Sequence, residues 1–248
     1  MNNQDTICEN CGESNLKNFC GNCGHKKLVS RIDYEYVKEE IIGLIGFEKG
    51  FLYTSKELLI KPGRLINTYL YKSRLHITKP IAFITFASLI YTLISHFLQT
   101  DIFYAEILKK TYGDNTLSKI NTWIQENNGY SNLLLVFPTL IWLKIIFKKY
   151  QYNYYEVFVV LCYVMGFGML IACFQPILDY LFPSNFAINN LIIITISFTY
   201  IGFALTNFYG NTLKNFFTSI SAYIFGFITF QVVLILIAKL YDILIKFL

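Results

Sequence analysis

Polar and apolar positions divide this chain of 248 residues in two. Residues 1–79 are largely polar, and five apolar runs follow Pro80, at 81–98, 133–147, 157–174, 191–209 and 216–240. A helix crossing the hydrocarbon core needs about 20 mostly apolar residues. The first, third, fourth and fifth runs meet that length. The second carries Pro138 and Lys144 and meets it only if it begins at Tyr130, with Lys144 reaching towards the nearer interface. The alternative is four spans with a re-entrant second run. Inside a bilayer every backbone group must be satisfied within its own segment, so the spans are expected to be helices. They are placed near 81–98, 130–147, 157–174, 189–209 and 216–240.

The polar part has helical periodicity of its own. Val37, Ile41, Leu44 and Ile45 share one face of a predicted amphipathic helix within 31–47. Thr54 and Glu57 have the spacing of a capping box ahead of Leu58 and Leu59. Pro62 suits the first position of a further helix, with Leu65, Ile66, Tyr69 and Leu70 on its apolar side. In the long connection at 99–132, Leu117, Ile120 and Ile124 line a short surface helix, and Trp123 beside them suits a membrane interface.

Composition supports the membrane reading. Hydrophobic residues make up 54% and charged residues 15%, against about 25% charged in soluble domains. The net charge of +5 is unevenly placed. Residues 1–79 hold twelve Lys and Arg, the connection at 148–156 holds Lys148 and Lys149, and that at 175–190 holds none. Basic connections face the cytoplasm, so five spans predict a cytoplasmic N-terminus. The opening "MNNQDTICEN" lacks the basic and apolar regions of a signal peptide. Lys61, Arg64, Lys72, Arg74 and Lys79 occur within 58–80 without an acidic residue. Such a collar is expected to hold anionic lipid headgroups, or simply to orient the first span.

Cys8, Cys11, Cys20 and Cys23 form C-x2-C-x8-C-x2-C, with Gly12 and Gly24 after the pairs. Four thiolates saturate a tetrahedral Zn2+, and a module this small has too little core to fold without metal. Two disulfides are the alternative, which a reducing cytoplasm disfavours. His25 is read as an exposed residue and not as a ligand. Lys17, Lys26 and Lys27 balance Asp5, Glu9 and Glu13 across 1–27. No basic footprint for nucleic acid results.

Within the spans, the polar residues His96, Lys144, Glu156, Gln175, Asp179, Asn207, Gln231 and Lys239 fall mostly near predicted ends and form no clear mid-membrane pair. Gly166, Gly168, Gly202 and Gly226 are expected at close helix contacts, and Cys162 and Cys173 as small apolar packers. Phosphate-loop, dinucleotide, zinc-protease and nucleophile-elbow motifs are missing. The chain is therefore expected to be no enzyme, with no catalytic residues.

The knuckle and the stretch that follows resemble an uncharacterised bacterial membrane family, domain of unknown function 3667. The resemblance is carried by "FCGNCG" at 19–24, by Gly50, Phe51, Leu52 and Thr54, by Leu58, Leu59, Pro62 and Gly63, and by Tyr69, Lys72, Arg74 and Pro80. His25, Lys61 and Ser73 depart from the family pattern. The resemblance implies a zinc ribbon joined to a multi-span domain in the bacterial inner membrane, and implies no activity. Together these readings predict an all-α polytopic membrane protein of about five transmembrane helices with a small N-terminal zinc-ribbon knuckle. Its expected divisions are a ribbon at 1–27, amphipathic helices at 28–79 and a membrane domain at 80–248. The expected role is a scaffold or regulator that binds membrane lipids and a cytoplasmic protein. The alternative is a transporter or channel for a small solute or lipid.

Overall fold

The structure, a computed structural model, describes residues 11–13, 20–23, 50–74, 76–100, 104, 106, 110, 113 and 116–247. The chain divides into two units, Met1–Ile45 and Gly46–Leu248. The amphipathic helix expected within 31–47 lies outside the described residues, as do Cys8, Gly24 and His25.

The second unit is helical, with no strand among its described residues. A short pair opens it, α1 (Gly50–Ile60) and α2 (Pro62–Tyr71). The long helices are α3 (Pro80–Phe97), α5 (Asn128–Ile146), α6 (Tyr154–Ala172), α8 (Phe186–Tyr209) and α9 (Leu213–Phe247). Shorter helices in the connections include α4 (Thr116–Glu126) and α7 (Phe174–Leu181). Among the described residues, four segments are long and apolar enough to cross a membrane, and a shorter apolar helix covers Tyr130–Ile146.

Local sequence explains most boundaries. Pro62 and Pro80 stand in the first turns of α2 and α3, where a missing N–H costs nothing. Asn153 and Glu156 form a reciprocal capping box at the start of α6. Thr54 does not cap a helix. α1 begins earlier, at Gly50, and the Thr54 hydroxyl accepts the Thr78 N–H at 3.0 Å. A tertiary contact has taken the side chain that local spacing assigned to a cap.

The second apolar run forms one continuous helix through Pro138. Its direction follows from contacts at its two ends. Asn132, near its start, lies within 2.8 Å of Met169 near the end of α6, and Lys144, near its end, donates to the Tyr152 carbonyl just before α6. α5 and α6 are therefore antiparallel neighbours. Thr116 at the start of α4 donates to Asp242 near the end of α9. Residues 98–115 separate α3 from α4, and most of them lie outside the described residues.

Tyr163, Phe83, Leu58, Ile66 and Ile84 are among the largest fully buried side chains. They join α1, α2, α3 and α6 in one core. Cys162 belongs to that core, and Cys173 packs with Ala87, Tyr91 and Met169. Large apolar side chains such as Leu93, Ile141 and Leu236 face outwards, as lipid-contacting helices require. A Cβ at Gly166 would lie 3.0 Å from the Ile84 Cα, and one at Gly226 would lie 2.6 Å from the Thr139 Cα. Gly202 abuts Phe216 and Ile220. Gly168 departs from the expectation, with nothing within 4 Å of an added Cβ, because it faces away from the neighbouring helices.

Candidate metal centre and motif hairpin

The ribbon is described through three of its four cysteines. The ligand atoms of Cys11, Cys20 and Cys23 all lie within 4.8 Å of one another. The Cys11 and Cys20 sulfurs are 3.5 Å apart, too far for a disulfide of about 2.05 Å. Four thiolates at about 2.3 Å around one ion stand roughly 3.8 Å apart. The observed spacing is close enough for the three sulfurs to share one metal ion. Cys20 is buried while Cys11 and Cys23 are exposed. Gly12 has φ +74°, a left-handed turn that a side chain would strain, so it reverses the backbone directly after a sulfur ligand. The Asn22 amide reaches the Cys11 sulfur at 4.0 Å, the outer limit for a sulfur acceptor. Three cysteines are thus close enough to hold a metal ion, and the fourth, Cys8, lies outside the described residues.

In the second unit, the family-motif residues form the contacts of the α1–α2 pair. A Cβ at Gly50 would lie 3.0 Å from the His76 carbonyl oxygen. The Phe51 ring packs on Phe83 and Phe86, with centroids 5.2 and 6.2 Å apart. Leu58 is fully buried, and its carbonyl accepts the Tyr200 hydroxyl at 3.2 Å. Gly63 lies directly on the α8 backbone at Asn207. The Tyr69 ring meets Tyr163 at 5.5 Å, and the Tyr163 hydroxyl donates to the Thr78 carbonyl at 2.6 Å. Tyr71 closes the far end by donating to Glu156 at 2.8 Å. Desolvation, then that hydrogen bond and the charge of Glu156, raise the Tyr71 phenol well above its ordinary value.

The basic collar is solvent- or headgroup-accessible. Lys61, Arg64, Lys72, Arg74 and Lys79 are all exposed. Arg74 lies over the Tyr69 ring at 5.3 Å. Leu65 and Ile66 on the same helix are buried in the protein's own core. α2 therefore offers its charged side outwards and its apolar side to the bundle.

Sequence reasoning missed one buried polar node. Asp179 was read as a residue near a span end, yet it is only 4% exposed. It accepts from the Tyr104 hydroxyl and from the Asn189 side-chain amide, the latter at 2.9 Å. Burial, then the hydrogen bond to Asp179, raises the Tyr104 phenol. Its one advance signal is an acid in an otherwise apolar stretch. The partners could not be read because they lie 75 and 10 residues away.

Residues 48–92 match the model of the family described as a protein of unknown function, DUF3667. That segment covers α1, α2 and most of α3, so the resemblance read from the motif falls on the hairpin and the helix it leads into. No curated protein and no solved structure matches the chain.

Proposed function

We propose that this multi-pass helical protein resides in the bacterial inner membrane with its N-terminus in the cytoplasm. There Cys8, Cys11, Cys20 and Cys23 hold one Zn2+, and the closed ribbon is a docking module for a cytoplasmic protein. The role is that of a scaffold or regulator, not an enzyme. The observation that carries the reading is the gathering of the Cys11, Cys20 and Cys23 sulfurs within 4.8 Å. An all-thiolate site with no open position favours structure over catalysis. The basic connections on the N-terminal side support the orientation, and the exposed collar from Lys61 to Lys79 suits anionic headgroups on that face.

The test is purification of the full chain from native membranes, wild type against Cys8→Ser/Cys11→Ser. Loss of one zinc per chain together with a reproducible partner, in a variant whose helices remain folded, supports the docking role. Zinc loss with an unchanged partner set refutes it and leaves the ribbon a structural cap. Transport is the second reading, drawing on a cavity of ≈ 280 Å³ lined in part by Thr85, Ser88, Thr92 and Asn127. Solute flux through reconstituted vesicles that Ser88→Leu abolishes would favour it.

A further inference from the structure

An apolar groove runs between α6 and α8. It has a volume of ≈ 610 Å³, and Phe167, Phe174, Thr195, Thr199 and Phe203 are among its lining residues. That volume falls within the range of about 300–1,000 Å³ typical of ligand sites. Leu59, near the end of α1, closes part of the wall. Thr195, Thr199, Phe203 and Asn207 follow one another at helical spacing and are all exposed, so they form one stripe down α8.

The end of that stripe is where the hairpin turns. Gly63 sits on the Asn207 backbone. Asn207 lies one helical turn, about 6 Å, beyond Phe203. The start of α2 is thereby fixed one turn below the groove, and exposed Lys61 and Arg64 flank Gly63. Lys56 is also exposed on α1, next to half-buried Glu57. From Leu58 to Pro80 the chain carries five basic residues and no acid. An apolar slot that ends in a cationic, polar rim has the chemistry of an amphiphile site, and in a membrane the available amphiphile with a negative head is an anionic phospholipid.

We propose that the α6–α8 groove binds one acyl chain of an anionic phospholipid, with its phosphate held at Lys61, Arg64 and the Asn207 side chain. The site turns the bend of the hairpin into a lipid-reading element: Gly63 brings two cations to the groove's end, and Leu59 shapes its wall. The inference rests on the membrane location and not on the zinc ribbon or any docking partner.

The test uses the full chain in mild detergent, with equal phosphatidylglycerol and phosphatidylcholine added and retained lipid read by native mass spectrometry. Wild type is expected to prefer phosphatidylglycerol by about tenfold or more, as two headgroup-facing cations imply. Lys61→Ala/Arg64→Ala should lose the preference while still retaining lipid. Thr199→Trp, which fills the groove from an exposed position, should lose both lipids with its helical circular dichroism unchanged. Equal retention of the two lipids by wild type overturns the proposal. So does a preference that survives removal of both cations, or full retention by Thr199→Trp. Displacement of the lipid by inorganic phosphate alone would mark a soluble-anion site and also overturn it.

Discussion

Gly63 and Asn207 meet backbone to backbone: a Cβ placed at Gly63 would stand 2.2 Å from the Asn207 carbonyl oxygen and 2.5 Å from its carbonyl carbon. No side-chain rotation can relieve such a clash, because the obstacle is the main chain of α8. Gly63→Ala is therefore expected to prise α2 off α8 and cost at least the 1–3 kcal/mol typical of overpacking. Thermal unfolding of purified protein should show a lower midpoint, whereas Gly168→Ala, with open space around it, should leave the midpoint near that of wild type. Equal midpoints for Gly63→Ala and wild type would remove the close contact from the account.

Thr54 makes a second test of the hairpin. It is fully buried, and its hydroxyl accepts the Thr78 N–H across 24 residues of chain. Thr54→Val keeps the shape and leaves that N–H without its acceptor, a loss of about 1–3 kcal/mol. Thr54→Ser keeps the acceptor and should recover much of the difference. A valine variant as stable as the serine variant would show the hydroxyl to be dispensable.

Asp179 supplies the third. Its carboxylate takes the Tyr104 hydroxyl on one oxygen and the Asn189 amide on the other. Asp179→Leu would remove the buried acceptor that both donors share, leaving the Asn189 amide its longer bond to the Phe182 carbonyl, and we expect a destabilisation of about 1–3 kcal/mol. Tyr104→Phe removes one donor only and should cost less. The double variant should fall short of the sum of the two single losses, because the residues share one network. Strict additivity in a double-mutant cycle would break the proposed coupling.

The apolar runs were legible because crossing length is a local property: about 20 apolar residues in a row have few other uses. The short helices α2 and α4 were legible for a similar reason, since Pro62 and the Leu117, Ile120, Ile124 spacing act within a few turns. What could not be read was every contact made across the chain. Thr54 has the local spacing of a cap, and only the position of Thr78 shows its use. Lys144 is expected to reach towards the nearer interface, but its partners there, the Tyr152 carbonyl and the Tyr154 ring at 4.8 Å, could not be read. The turn between α5 and α6 brings a carbonyl to the ammonium, and that geometry has no signature in hydropathy. The metal ligands stand at the other extreme, because C-x-x-C spacing places two sulfurs on one turn before any tertiary contact is made.

The ribbon gives the last prediction. With Cys11, Cys20 and Cys23 already gathered, a bound ion would displace the thiol protons and tie the sulfurs together, and the gain in binding would appear as folding energy. Metal removal should then unfold the N-terminal unit while the helical unit keeps its content. Limited proteolysis with and without a strong chelator is the measurement: cleavage within 1–45 should rise, and fragments from the helices should not. Acid should act in the same direction, since protons compete with the ion for thiolates. Cys20→Ser should reproduce the chelator's effect more fully than Cys23→Ser, because Cys20 is the buried ligand and its loss leaves a polar hydroxyl where a metal-bound sulfur stood. Added zinc should restore protection to the wild type after chelator removal and fail to do so for Cys20→Ser. If the chelator leaves cleavage of the N-terminal unit unchanged, its fold does not depend on a metal, and the cysteine cluster would have to be explained by thiol packing alone.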